Sequence, residues 1–304
     1  MTDAHKADLP ASLARPLVPA ETIDPAACTL VDCRFRLDDP AAGEGAWQAE
    51  RLAGSLYLHL DRDLSERIVP GRTGRHPLPD AATMRARFAR LGIDGTRPVL
   101  FLDDAGGPYA ARAWWLACRA GHPDAHVVDG GLAACIAAGL PLEQTPPPPP
   151  PAAAAPWPER APLLDAVTAA DVEALIADPA ADAVLVDARA RPRFEGDVEP
   201  LDPVAGHIPG ARCAPFDGNL GAETAGPRRF LPSADLHARW SPLLGAQPSR
   251  AVCYCGSGVT AAHNVLAIVA AGLPAPRLYG GSWSEWVTDP ARPVATGPEA
   301  PGTR

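Results

Sequence analysis

The chain has 304 residues, 47% of them hydrophobic, enough for two domains that each bury a core of their own. Its formal net charge of −9 argues against nucleic acid or an anionic membrane as the main partner. No apolar run approaches the ~18 residues that would span a bilayer, and seven cysteines at irregular spacing do not make a disulfide framework.

Residues 1–20 carry His5, Lys6, Asp8 and several prolines rather than a charged start followed by an apolar core. They read as a flexible N-terminus with no signal peptide, and the expected location is cytoplasmic. In the half spanning 21–144, Thr29 to Val31, Val99 to Leu102 and His126 to Val128 read as short buried strands. Helices are expected over Ala81 to Leu91 and Tyr109 to Ala120. Strands alternating with helical segments predict an α/β fold with a parallel sheet covered by helices on both faces.

Thr145 to Pro156 is nearly all proline and alanine, and proline fixes φ and removes backbone donors. Residues 145–160 are therefore expected to form an extended linker. Such a run can also be a ligand for small recognition domains, but spacing two domains accounts for it.

The stretch from 161 to 304 repeats the first half. Thr29-Leu-Val-Asp-Cys-Arg34 matches Val184-Leu-Val-Asp-Ala-Arg189, which puts Asp32 and Asp187 155 residues apart. Leu52-Ala-Gly54 matches Ile208-Pro-Gly210, Gly121-His-Pro123 matches Gly272-Leu-Pro274, and Asp129-Gly-Gly131 matches Tyr279-Gly-Gly281. Thr168 is the expected N-cap of the first helix here, with Asp171 as its capping-box partner. Ser233 opens another helix, expected to bury Leu236, Trp240 and Leu243.

Arg250 to Tyr254 reads as a buried strand and Val259 onward as a helix, so Cys255-Gly-Ser-Gly-Val-Thr260 is a strand-to-helix turn. Gly256 and Gly258 are expected to take positive φ, turning successive N–H groups onto the Cys255 sulfur. Ser257, Thr260 and the positive end of the helix add to a cradle that suits a sulfur anion.

Other uses of these residues are weaker. A lone cysteine at a strand end is usually a packing residue. A Cys-x5-Arg phosphatase loop needs an arginine where this chain has Ala261. Cys253 and Cys255 lack a further His or Cys pair to complete a metal site, so no metal is expected. Cys253 is expected to point away from Cys255 across the strand.

Cys255-Gly-Ser-Gly-Val-Thr260 resembles the active-site loop of the two-domain rhodanese family, in its 3-mercaptopyruvate sulfurtransferase branch. The thiosulfate-preferring branch usually carries Arg and Lys after the cysteine. Gly206-His-Ile-Pro-Gly210 and Gly280-Gly-Ser-Trp-Ser-Glu-Trp286 extend the resemblance over nearly the whole chain. It implies tandem rhodanese-like domains and a sulfurtransferase that carries sulfane sulfur as a Cys255 persulfide. It needs no metal or organic cofactor.

The implied partners are a small anionic donor, with 3-mercaptopyruvate favoured, and an acceptor that is cyanide or a thiol, including a thioredoxin-like reductant. Gly256, Gly258, Val259 and Thr260 would line the substrate. Arg193 matches the first substrate arginine, against the plainer reading of a surface arginine paired with Glu195 or Asp197. Arg189 reads as structural, because its mate Arg34 lies in the other half. His76 and Asp61 match positions from which the family contacts the loop serine, here Ser257, against the plainer reading of a solvated loop histidine.

Two features separate the chain from a duplicated enzyme. Asp103 stands at the repeat position of Cys255, and a carboxylate cannot carry a persulfide, so the first half is not expected to do the covalent step. The branch's second arginine follows a Glu-Pro pair, but here Leu201 follows Glu199-Pro200. Arg193 alone would then hold a donor carboxylate, with a raised KM that Leu201→Arg would lower. A thiosulfate-preferring enzyme and a non-catalytic tandem binding module are the alternative readings.

Overall fold

A computed structural model describes residues 9–147, 152–178, 183–222, 226–245 and 247–299. They divide into two compact units. The first comprises the described residues of Met1–Ser65, Pro79–Leu163 and Leu220–Leu231, and the second those of Glu66–Leu78, Leu164–Asn219 and Pro232–Arg304. Each half of the sequence thus contributes one short segment to the other half's unit.

The first unit holds helices α1 (Ala11–Ala14), α2 (Ala42–Ala49), α3 (Ala81–Arg90), α4 (Pro108–Arg119) and α5 (Gly131–Ala137). Its strands are β1 (Leu17–Pro19), β2 (Thr29–Asp32), β3 (Arg51–Leu52), β4 (Leu56–Tyr57), β5 (Val99–Leu102), β6 (Ala125–Asp129) and β7 (Leu142–Glu143). Five of them form a parallel sheet in the order β1-β6-β5-β2-β4, and β3 pairs with β7 antiparallel. The apolar runs of β2 and β5 carry no polar alternation because a parallel sheet is buried on both faces. Helix α4 is buried from Pro108 to Cys118, Trp114 and Trp115 included, which is why its apolar residues run all round rather than along one stripe.

The second unit holds β8 (Ala166–Val167), α6 (Ala169–Ala177), β9 (Leu185–Asp187), α7 (Arg191–Glu195) and β10 (Arg212–Cys213). It continues with α8 (Ser233–Leu244), β11 (Val252–Tyr254), α9 (Thr260–Ala270), β12 (Arg277–Tyr279) and α10 (Ser282–Trp286). Its parallel sheet runs β10-β9-β11-β12-β8, the same order as the first when mates are matched, so the repeat read from sequence is a repeat of topology. Thr168 caps α6 with the expected capping box to Asp171.

Several expectations need correction. Residues 1–8 lie outside the described residues, but 9–20 are built into the first unit. Leu17–Pro19 is the outer strand on β6, and the buried Ser12 hydroxyl donates to the His122 carbonyl at 3.1 Å. Helix α8 buries Leu244 rather than Leu243; both lie near the Leu236–Trp240 face, at i+8 and i+7 from Leu236, and spacing alone does not choose between them.

Of the expected linker, residues 148–151 lie outside the described residues, but its later part packs. Trp157 is 3% exposed, stacks on Phe88 with centroids 5.7 Å apart and donates Nε1 to the Ala120 carbonyl at 2.9 Å. The Ala154 N–H donates to Ala89. The segment 220–231 joins the first unit through Phe230, whose N–H donates to Asp129 Oδ1 at 2.8 Å.

Candidate active site

Each unit places a loop at the C-terminal end of its central strand, where a parallel sheet meets the N-terminus of a covering helix. In the first unit the loop after β5 is filled by its own side chain. Asp103 accepts backbone N–H bonds from Ala105 and Gly107 at one carboxylate oxygen and from Tyr109 and Ala110 at the other, at 2.8 to 3.0 Å. Burial pushes this carboxyl up while the Ala110, Ala105 and Gly107 amides pull the other way.

In the second unit the equivalent position is Cys255, 2% exposed. Its Sγ accepts the Gly258 N–H at 3.1 Å, and its own N–H donates to Ser282 Oγ at 3.1 Å. Among the described residues, Ser282 is the one with a positive φ outside glycine, 55°, a strained conformation at the start of α10. The Trp283 N–H donates to the Cys255 carbonyl and the Ser284 N–H to the Gly256 carbonyl, both at 2.9 Å. The loop is therefore clamped from beneath by Gly280-Gly-Ser-Trp-Ser, a stretch that sequence reasoning singled out only as a family landmark. Cys253 lies fully buried, and desolvation pushes its thiol up, which marks it as an inert neighbour.

The glycines act differently from one another. Gly258 has φ +79°, as expected for turning an N–H onto sulfur. Gly256 does not have a positive φ. Its missing side chain leaves room for the arginines, because a Cβ there would lie 2.9 Å from Arg75 Nη2 and 3.6 and 3.7 Å from the two terminal nitrogens of Arg193. Val259 is the residue before α9, and Thr260 is its first residue.

His76, buried at 5%, brings Nδ1 to 2.7 Å from Ser257 Oγ. It is not a solvated loop histidine. It belongs to Glu66–Leu78, the segment that folds with the second unit although it comes from the first half of the sequence. Asp61 lies on an exposed turn of the first unit, its N–H donating to His59 Nδ1 at 3.1 Å.

Arg193 sits on α7 and pairs with neither Glu195 nor Asp197. Glu199 accepts from its Nε and Nη2 at 3.2 and 2.6 Å, and Asp202 lies 3.4 Å from Nη2. Arg191 is the partner of Glu195. Burial alone would raise Glu199, but Arg193 and the Leu201 and Asp202 amides hold it below the usual carboxylate range. Asp202 is pushed up by burial, against Arg75 and Arg193.

Arg189 is structural, as expected. It is buried against Asp187, donates to the Gly206 carbonyl at 2.6 Å and lies over the Trp283 ring. Its mate Arg34 holds Asp32 in the same way. The sequence reading missed Arg75, Glu199 and Asp202 as site residues. The signal for Arg75 was its position next to His76, but nothing local ties it to Arg193, 118 residues further on.

A model of the rhodanese-like domain matches residues 18–138 and again 168–289. The chain belongs to the rhodanese family, with two copies of its domain in tandem. A relative from Pseudomonas aeruginosa, named a probable 3-mercaptopyruvate sulfurtransferase, is 48% identical over 270 residues, covering 88% of this chain and 92% of the relative. A putative thiosulfate sulfurtransferase of Mycobacterium tuberculosis is 39% identical over 272 residues, 88% of this chain and 91% of its own length. The 3-mercaptopyruvate sulfurtransferase from Leishmania major superposes with a TM-score of 0.76 at 33% identity, over 87% of this chain and 73% of that one.

Proposed function

We propose that this protein is a sulfurtransferase that takes sulfur from 3-mercaptopyruvate onto Cys255 and passes it to cyanide or a thiol. The observation that carries the reading is Cys255 Sγ on the Gly258 N–H at the mouth of α9, with the Arg193 guanidinium over the next residue. That combination offers a nucleophile, an amide donor for the charged sulfur and a cation for the donor's carboxylate.

The Cys255 thiolate attacks the donor's sulfur. An S–S bond forms as the donor's C–S bond breaks, and the electron pair of that bond leaves on pyruvate enolate. The proton of the transferred S–H ends on the enolate carbon, giving pyruvate and a Cys255 persulfide anion. Ser257 and His76, joined at 2.7 Å, form a path for that proton. Cyanide then attacks the outer sulfur, leaving thiocyanate and the Cys255 thiolate. Gly258, Val259 and Thr260 present backbone to the persulfide, and Gly256 keeps the space above it clear. No resident cofactor enters, because the cysteine carries the group. Physiological acceptors would be thiols, a thioredoxin-like reductant among them, in a reducing cytoplasm.

Mass spectrometry of the protein after 3-mercaptopyruvate treatment tests this. One added sulfur, about 32 Da, is expected on the Cys255 peptide and none in Cys255→Ser, whereas sulfur carried on Cys253 would refute the assignment.

A further inference from the structure

The turn 280–284 that clamps the Cys255 loop also carries the strap Glu66–Leu78, which closes on itself where the Glu66 N–H donates to the Pro77 carbonyl at 2.9 Å. Three contacts seat the strap on the turn. The Leu78 side chain fills the space over Gly280, where a Cβ would lie 2.2 Å from Cδ1 and 2.4 Å from Cγ. Gly74 rests on the Gly281 carbonyl oxygen and on Ser284 Oγ, which a Cβ would approach to 2.5 and 2.6 Å. The Arg75 N–H donates to Ser284 Oγ at 3.0 Å. His76 stands between these seated residues, and its Nδ1 lies 2.7 Å from Ser257 Oγ.

Gly280 does not have a positive φ, so its backbone makes no demand for glycine and what it supplies is absent volume. The first unit repeats the seat. Gly130, the mate of Gly280, lies under the strip Leu220–Leu231, where a Cβ would be 3.1 Å from Arg229 Cγ and 3.2 Å from Pro227 Cβ. That strip carries no histidine, and its unit has Asp103 in place of a nucleophile. The seat thus occurs in both units, but it holds a proton-carrying side chain only in the unit that has the cysteine.

We propose that Gly280 is a positioning residue for proton transfer. Having no side chain, it lets Leu78 seat, and the seated strap sets the distance from His76 to Ser257. This rests on the sulfurtransferase reading above. One turn then gauges both partners, because Ser282 and Trp283 hold the N–H and carbonyl of Cys255 while Gly280 holds the residue two positions after His76. A Cβ at 280 must push Leu78 out, and His76 moves with it past the reach of a hydrogen bond to Ser257, which ends at about 3.2 Å.

The test is steady-state kinetics of Gly280→Ala with 3-mercaptopyruvate and with thiosulfate, cyanide as common acceptor. Mercaptopyruvate carries a proton on its sulfur that must move and thiosulfate carries none, so the two donors separate proton transfer from damage to the Cys255 loop. Gly280→Ala is expected to lower mercaptopyruvate kcat/KM about three- to tenfold, as His76→Asn does, and thiosulfate kcat/KM less than about twofold. Gly280→Ala/His76→Asn should be no slower than either single variant. Gly280→Ala/Leu78→Val, which vacates the place of Cδ1, should recover part of the loss. Leu78→Ala removes the anchor without adding volume, so it guards against misfolding and should show the same split between donors. Equal falls for both donors, losses that multiply in the double variant, or an unchanged mercaptopyruvate kcat/KM each overturn the role of Gly280. A wild type active on thiosulfate alone has no such proton to move and overturns it too, whereas one active on neither donor overturns the function itself.

Discussion

Two glycines of the second unit invite the same substitution with opposite outcomes. Gly206 has φ +116°, and a Cβ there would lie 2.3 Å from the Ala295 carbonyl oxygen. That oxygen cannot retreat, because it accepts the His207 N–H in a two-way bridge, and the Gly206 carbonyl is itself tied to Arg189. Backbone strain of roughly 1–3 kcal/mol plus the overlap puts Gly206→Ala at about 3 kcal/mol or more.

Gly256→Ala meets Arg75 Nη2 at 2.9 Å, the far end of a flexible side chain that needs to move only a few tenths of an ångström. Stretching a part-exposed ion pair costs under about 1 kcal/mol. At ~2–4 °C per kcal/mol, Gly206→Ala should melt roughly 6–12 °C earlier and Gly256→Ala no more than about 4 °C earlier. Differential scanning fluorimetry beside mercaptopyruvate kinetics separates them. Gly206→Ala keeps its KM at 25 °C, and Gly256→Ala raises it severalfold. The steric reasoning fails if Gly256→Ala melts as early as Gly206→Ala, or if it keeps a wild-type KM.

Ser257→Ala and His76→Asn should each lower mercaptopyruvate kcat/KM roughly three- to tenfold, the worth of one hydrogen bond. The double variant should be no worse than either single one, and losses that simply add would refute a shared path. Leu201→Arg should lower the mercaptopyruvate KM while hardly changing thiosulfate use. An unchanged KM would show that position 201 does not reach the donor carboxylate. In the first unit, burial lowers His122 to about 4 from an ordinary 6.5. The unfolded chain therefore takes the proton first, and stability falls as pH drops from 6.5 toward 4, by a few kcal/mol at most. His122→Gln should flatten that acid slope in urea titrations, and an unchanged slope would show that His122 is not its source.

The strands, the repeat and the nucleophile were legible because they are local. Val99–Leu102 is a run of apolar residues with one possible use, and Cys255-Gly-Ser-Gly-Val-Thr260 carries its chemistry within six positions. Thr168 and Asp171 cap a helix across three residues. What sequence could not carry was distance. Arg75 meets Asp202 across 127 residues, and His76 meets Ser257 across 181. The resemblance supplied His76 but not Arg75. Gly256 was misjudged because glycine has two uses, freedom of φ and absence of volume, and only the neighbours tell which applies. The plainer reading of Arg193 paired it with the nearest acids, Glu195 and Asp197, but Glu199 and Asp202 approach it from the chain that follows.

The exchange of Glu66–Leu78 for Leu220–Leu231 bears on inheritance. A gene crossover in the proline run would cut the sequence into two tidy repeats, yet each piece would leave behind a strip that the other needs. The piece with Cys255 would lack His76 and Arg75, and the piece with Asp103 would lack the strip that carries Phe230. Neither repeat can be shuffled into a new protein as a finished part, so the two copies are bound to travel, diverge and be selected as one.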